Sequence, residues 1–224
     1  MKLYDYWRSS SAWRVRIALA FKGIPYQRQA VNLIAGSVAT GEQHQDTFTA
    51  MNPLAQVPVL ELDATEAGGS PVFLTQSMAI LEFLEERFPA PPLLPADALA
   101  RARARQLAEM VNAGMQPLQN LSTTEHIRRE LAGDPGTWVR HFMVRGLAAL
   151  ETVASSTAGS FLVGNAVSFA DLYLVPQLHA ARRFGVDLRG FPTLLRAEAS
   201  CAPLPAFVDA HADRQPDRPD APYP

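Results

Sequence analysis

The chain has 224 residues, 48% of them hydrophobic, which is long enough to bury a sizeable core as one large domain or two small ones. Its formal net charge of −2, from 20 Lys+Arg against 22 Asp+Glu, supplies no field that would recruit nucleic acid or an acidic membrane. Cys201 is the only cysteine, so intramolecular disulfides, a thiolate-rich metal site and a redox cysteine pair are excluded, and any thiol chemistry needs a thiol from outside the chain.

Residues Met1 to Arg8 lack an extended apolar run, so no signal peptide is expected. No later segment reads as apolar enough to span a bilayer, and the expected location is cytoplasmic. Leu3 to Trp7 reads as a short strand, and Ala12 to Phe21 as a helix whose Trp13, Ile17, Ala18 and Phe21 recur at helical spacing until Gly23 stops it. Between them stands Trp7-Arg8-Ser9-Ser10-Ser11, three hydroxyls where a strand turns into a helix. A helix start offers unpaired N–H groups and a partial positive charge, so an anion placed there is stabilised. One serine suffices for a cap. Three, preceded by Arg8, leave donors over for a bound anion, and that reading is favoured. A serine nucleophile would need a base within reach, and the nearest histidine in sequence is His44.

Pro25 to Leu33 reads as a second strand, Ala35 to Thr49 as loop or weak helix, and Val57 to Leu62 as a third strand. Val57-Pro58 places a proline at the strand's first position or in a cis turn, since it cannot donate to the ladder. Gly68-Gly69-Ser70-Pro71 turns into a fourth strand, Val72 to Leu74. Gln76-Ser77 then opens a second helix, with Ile80, Leu81, Leu84 and Phe88 as its buried stripe and Glu82, Glu85, Glu86 and Arg87 facing water. That helix start is a second place suited to a carboxylate, or simply a second cap.

After the proline-rich stretch Pro89 to Pro95 the pattern is helical only: Ala98 to Leu121, Pro135 to Ser155, Phe169 to Phe184, Thr193 to Ser200 and Pro205 to Ala212. The expected fold is therefore α/β followed by all-α, with the order βαβ–ββα in residues 1–88, a linker at 89–95, a helical domain at 96–212 and a tail at 213–224. Pro216, Pro219, Pro222 and Pro224 among charges suit an extended strap or disorder. Arg101, Arg103 and Arg105 point in different directions on a helix and read as solvated charge. Ser168 and Asp171 form a capping box, with Val167 and Leu172 as its hydrophobic staple, which is a structural device costing about 1 kcal/mol when removed.

These pieces in this order resemble the glutathione transferase superfamily, with its N-terminal thioredoxin-like domain, Val57-Pro58, Gln76-Ser77 and the Ser168-to-Asp171 box. Ser9 to Leu19, Asn52-Pro53, Gln116 to Leu121 and Leu174-Val175-Pro176-Gln177 are similar to the zeta class, the maleylacetoacetate isomerases, and the likeness runs from about Lys2 to Pro219. The class usually has Ser-Ser-Cys where this chain has Ser9-Ser10-Ser11, which bears on reductive dehalogenation through that cysteine and not on isomerisation.

The resemblance implies glutathione as cofactor, no metal, a homodimer, and a small dicarboxylate as substrate. Its thiolate adds to the cis double bond of maleylacetoacetate, the bond rotates, and expulsion of the thiolate leaves the trans product. By the same likeness Ser9 orients and stabilises the thiolate, Ser10 is a second donor and Ser11 is a further glutathione-binding residue. Val57 and Pro58 present backbone to the tripeptide, Gln76 and Ser77 hold its γ-glutamyl end, and Gln43, Gln56, Gln116 and Asn120 are further contacts. Arg8 and Arg183 take the substrate carboxylates, which guanidinium groups grip in a bidentate fashion. The energies are sufficient. Lowering a thiol pKa from about 8.5 to about 6.5 needs roughly 2.7 kcal/mol. A charge-assisted hydrogen bond supplies about 1.5–3 kcal/mol, and a helix terminus about 0.3–2 kcal/mol more. The alternatives within the likeness are a maleylpyruvate isomerase and a transferase acting on halogenated acids. From another class comes a glutathione-fold module that binds without catalysing.

Overall fold

A computed structural model describes residues 1–63 and 68–219. The chain divides into two compact units, one formed by Met1–Pro91 together with the chain from Pro205 onward, the other by Pro92–Leu204.

The first unit is built on a four-stranded sheet of β1 (Lys2–Asp5), β2 (Gln27–Ala30), β3 (Val59–Leu62) and β4 (Val72–Thr75), in the order β2-β1-β3-β4. β2 runs parallel to β1, β3 antiparallel to β1, and β4 antiparallel to β3. This mixed sheet is the thioredoxin-like arrangement that the resemblance implies. β2 lies at an edge and pairs through four residues only, so the ordered strand is shorter than the stretch Pro25 to Leu33.

Helix α1 (Ser10–Phe21) follows β1, the single turn α2 (Asp46–Thr49) lies in the stretch expected as loop or weak helix, and α3 (Ser77–Arg87) follows β4. Every residue of α1 from Ala12 to Leu19 is buried, including Arg14 and Arg16, because α3 and a C-terminal helix, α9 (Pro205–Ala210), both pack on it. Along α3 Ile80, Leu81 and Leu84 of the expected stripe are fully buried, while Phe88 is only half-buried, because the helix ends at Arg87 and Phe88 is its C-cap. Glu85, expected in water, is buried instead, because Lys22 Nζ lies 2.6 Å from its carboxylate. The same ammonium donates to the carbonyls of Phe88 at 2.7 Å and Pro91 at 2.9 Å, where α3 ends.

The second unit holds α4 (Ala98–Asn112), α5 (Leu121–Arg129), α6 (Pro135–Ala154), α7 (Phe169–Arg183) and α8 (Pro192–Cys201). α4 packs against α7 and α6, and α8 against α7 and α6. The helix expected from Ala98 to Leu121 stops at Asn112: Gly114 approaches the Met110 carbonyl too closely for a side chain, and a 3-10 turn at Gln116–Gln119 separates α4 from α5. The start of α7 carries the expected box. Asp171, fully buried, accepts the N–H of Ser168 at 2.9 Å, the Ser168 hydroxyl at 3.0 Å and the Leu162 N–H at 2.9 Å. Val167 and Leu172 are buried beside it.

The C-terminal boundaries need correction. Residues 205–212 group with the sheet-containing unit and not with the helical one, because α9 packs on α1. Of the strap or disorder expected from Asp213, the structure shows a strap through Pro219, held by charge and backbone bonds where apolar residues are few. Ala212 is fully buried, and the Gln215 amide donates to the carbonyls of Asp209 and His211. Asp217 accepts the Trp7 N–H at 3.0 Å and the Arg28 guanidinium at 2.7 Å. Asp220 to Pro224, part of the same tail, lie outside the described residues.

Candidate functional site

Sheet register brings three of the expected segments to one end of the first unit. Tyr4 of β1 pairs with Val59 of β3, which pairs with Thr75 of β4. The Ser9 turn leaves β1 at that end, Val57-Pro58 enters β3 there, and Gln76-Ser77 leaves β4 there. Two helix N-termini, those of α1 and α3, therefore open on the same edge as a strand entry.

Ser9 is the N-cap of α1. Its backbone is extended, with φ −64° and ψ 115°, and its hydroxyl oxygen accepts the Ala12 N–H at 3.2 Å. The cap and the donor readings are not exclusive. A hydroxyl accepts through its lone pairs and donates through its proton, so capping leaves the Ser9 O–H to be directed at an anion. Ser9 N–H in turn donates to the Tyr6 carbonyl at 2.9 Å, which closes the turn. Ser11 differs: its hydroxyl accepts from the buried Arg14 at 3.2 Å, while Arg14 also donates to the Ser10 carbonyl. The third serine thus braces its own helix. The Arg8 guanidinium lies over the rings of Tyr6 and Trp7, at 5.9 and 5.7 Å from their centroids. Such stacking fixes the direction of the side chain.

The Val57-Pro58 peptide is cis, which settles the two positions open to that proline. The loop before it is organised by Asn52, whose amide donates to the Gln56 carbonyl at 2.7 Å and whose oxygen accepts the Leu54 N–H. This bracing is the physical content of the zeta-like pair Asn52-Pro53. Gln56 itself is exposed. Gln76 takes φ +67°, a left-handed conformation unusual for a residue with a side chain, and stands exposed as the N-cap of α3, with Ser77 buried behind it. Strain held at one exposed residue on the site edge fits a residue fixed for binding. Gln43 is buried, and its amide donates to the carbonyls of Leu33 and Val38, so in this structure it braces a loop.

The remaining expected residues belong to the second unit. Gln116 is buried in the 3-10 turn and Asn120 is the N-cap of α5. Two residues of the zeta-like segments to which the sequence assigns no role hold this turn: Gln119 and the fully buried Gln177 of α7 exchange side-chain amide bonds at 3.0 and 3.2 Å. At the end of α7 Arg182 is engaged by Glu198, while Arg183 is exposed and lies over the Phe184 ring at 4.9 Å. Cys201 is buried, and burial together with the charges of Asp171 and Glu198 pushes its thiol up, so it stays protonated and inert at neutral pH.

Comparison with known proteins adds to this geometry. Residues 8–87 match the family model described as the glutathione S-transferase N-terminal domain. Over 223 residues the chain is 44% identical to the maleylacetoacetate isomerase of Pseudomonas aeruginosa, covering 99% of this chain and 100% of that one. The chain belongs to the maleylacetoacetate isomerase family, the zeta class of glutathione transferases. The solved maleylacetoacetate isomerase of Anaeromyxobacter dehalogenans 2CP-1, with glutathione bound in its active site, is 53% identical with a TM-score of 0.87, and 97% of each chain is covered. Another structure of that isomerase holds dicarboxyethyl glutathione and citrate, at 51% identity and a TM-score of 0.86 over 97% of each chain. A bacterial maleyl pyruvate isomerase of the zeta class is 39% identical with a TM-score of 0.87, covering 97% of this chain and 99% of that one. The family's fold, a mixed sheet unit followed by helices, is the one described above.

Proposed function

We propose that the chain is a glutathione-dependent cis–trans isomerase that converts maleylacetoacetate to fumarylacetoacetate. The observation that carries this reading is Ser9, whose hydroxyl caps α1 through its oxygen and keeps its proton for an anion at the helix start. Glutathione, when bound, supplies the thiolate that Cys201 cannot. The residues at the sheet end suit such a tripeptide: a hydroxyl and a helix start for the sulfur, a strand entry at Val57 for its backbone, and a second helix start at Gln76-Ser77 for a carboxylate. Arg8 and Arg183 are the guanidinium groups for the substrate's carboxylates, and the tripeptide and citrate held by the Anaeromyxobacter relative agree with anions of both kinds. Gln116, Asn120 and the exposed Gln56 are further candidates for the tripeptide's contacts, and Gln43 acts by bracing its loop. The family likeness supports a homodimer in the cytoplasm.

The test is a spectrophotometric isomerisation assay with and without glutathione on the wild type and Ser9→Ala. Glutathione-dependent turnover in the wild type, reduced about a hundredfold or more in Ser9→Ala, is the expected result. Glutathione binding with no turnover would replace this reading by a binding module. The 39% identity to a maleyl pyruvate isomerase supports maleylpyruvate as the second substrate candidate. Turnover of the two substrates side by side decides between them, and a halide-release assay covers halogenated acids.

A further inference from the structure

Trp7 sits between the last residue pair of β1 and Ser9, and both of its backbone groups are held by charged side chains. Its N–H donates to Asp217 Oδ2 at 3.0 Å, and its carbonyl accepts from Arg16 Nη2 at 2.9 Å. The indole lies buried, so Trp7 has little room to shift. These two contacts belong to one ring of four charges. Arg16 Nη1 meets both Asp5 oxygens at 2.8 Å, Arg28 Nε meets Asp5 Oδ2 at 2.7 Å, and Arg28 Nη2 meets Asp217 Oδ1 at 2.7 Å. Asp5 is fully buried and Arg16 is 1% exposed, while the side chains of Arg28 and Asp217 are 15% and 18% exposed, so the ring is neutral as a whole and shielded from water at its Asp5–Arg16 half. Arg16 Nε also donates to the Ala210 carbonyl of α9 at 3.1 Å. The ring therefore joins the start of the chain to its last described segment.

We propose that Asp217 is a positioning residue for the Ser9 turn, holding the Trp7 backbone so that the Ser9 hydroxyl and the first N–H groups of α1 stay aimed at one point. The inference rests on the reading of Ser9 given above for its catalytic consequence. Its structural part stands on the ring alone. Ser9 N–H closes the turn on the Tyr6 carbonyl, so Trp7 lies inside the loop whose ends that bond joins. Fixing Trp7 from outside fixes the direction in which the loop delivers Ser9. A charge-assisted bond donated by a backbone N–H to a carboxylate is directional, which suits placement. The composition of the tail gives no hint of this, because nothing in it marks Asp217 as the carboxylate that meets the turn.

The test compares Asp217→Ala, Asp217→Asn and the control Asp213→Ala, all below the onset of unfolding. Asp213 lies in the same segment, and its carboxylate pairs with Arg218 at 3.0 Å and faces His211 at 3.7 Å. Two readouts are taken: amide hydrogen exchange of residues 7–12, and the pKa of bound glutathione from its thiolate absorbance, with kcat and KM alongside. Asp217→Ala is expected to speed exchange in residues 7–12 about tenfold. It should raise the bound thiol's pKa by about one unit. A fall in kcat of about tenfold accompanies this, with KM for the dicarboxylate within about twofold. Asp217→Asn keeps an acceptor for the Trp7 N–H and should fall between, and Asp213→Ala should match the wild type.

Lower thermal stability of Asp217→Ala with unchanged exchange and thiol pKa overturns the proposal and leaves a merely structural strap. Should the alanine variant fail to fold, wild-type exchange and pKa in Asp217→Asn overturn it equally. Ser9→Ala, run in parallel, separates the two levels. If it leaves the thiol pKa unmoved, the reading of Ser9 fails, and the exchange data still decide whether Asp217 places the turn.

Discussion

Asp171 is where a cap is worth far more than its sequence motif suggests. Its carboxylate accepts three donors, the N–H groups of Leu162 and Ser168 and the Ser168 hydroxyl, at 2.9, 2.9 and 3.0 Å, and it is fully buried. Asp171→Ala strands two buried backbone donors, each costing about 1–3 kcal/mol, so the variant should lose about 3–5 kcal/mol rather than the ~1 kcal/mol of an ordinary cap. At about 2–4 °C per kcal/mol for a chain of this size, the midpoint falls on the order of 10 °C. The pH dependence has a definite sign. Burial raises the Asp171 carboxyl from its ordinary 3.8 to about 6, against the pull of its hydrogen bonds. The folded chain thus holds this proton more tightly than the unfolded chain does. Its contribution is whole below about pH 3.8 and is lost as pH rises through about 6, a change of about 3 kcal/mol for a shift of about two units. Thermal unfolding of wild type, Asp171→Ala and Asp171→Asn between pH 4.5 and 8 measures this. The gap between the wild type and either variant should be widest at the acid end. A midpoint within 2 °C of wild type throughout, or a gap that widens toward neutral pH, would refute the reasoning.

Four further outcomes follow from other contacts. Glu151 of α6 accepts the N–H groups of Thr193 and Leu194 at 2.9 and 3.0 Å, capping α8 from a distant helix, so Glu151→Ala should cost about 1–2 kcal/mol in denaturant unfolding and Glu151→Gln about half of that. Arg182 pairs with Glu198 while half exposed, so Arg182→Ala should change stability by less than about 1 kcal/mol and leave kinetics alone, whereas Arg183→Ala should raise KM for the dicarboxylate about tenfold; equal kinetics for the pair would remove Arg183 from the substrate's contacts. A side chain at Gly41 would run into the Leu33 carbonyl and the Gln43 amide, so Gly41→Ala should cost about 1–3 kcal/mol and weaken glutathione binding measured by calorimetry. Ser9→Asp preserves the cap acceptor but has no proton for a thiolate, so its melting temperature should stay within about 2 °C of wild type while glutathione-dependent turnover disappears; retained turnover would show that the Ser9 proton is idle.

Much of this molecule is readable from residue spacing, and the failures share a cause. The stripe Ile80, Leu81, Leu84 and the Ser168-to-Asp171 box are local patterns, complete within a turn or two of helix, and the structure contains both. What composition misread depends on partners far away in sequence. Glu85 looks solvated until Lys22 arrives beside it. The break after Asn112 comes from a glycine's contact with the turn before it, where a run of helix formers conceals it. The segment 205–219 looks like the end of the helical domain plus a tail, and its place beside β1 and α1 is set by Arg16, Arg28 and Trp7, about 190 to 210 residues earlier. Local signals can name an element. They cannot say which charge will meet it.

The same distinction applies to the candidate site. Serine at a helix start is legible as a cap because the cap is local, and its second use is visible only when the lone pairs and the proton are counted separately. The Ala12 N–H takes one lone pair of Ser9, and nothing in that bond engages the proton. Ser11, one turn position further on, shows the contrast: its oxygen is tied to Arg14, whose charge is committed inside the helix. Two of the three hydroxyls thus differ: Ser9 caps α1 through its oxygen, and Ser11 braces the helix through Arg14. The difference follows from where α1 begins, with Ser9 as the cap residue outside the helix and Ser11 within its first turn.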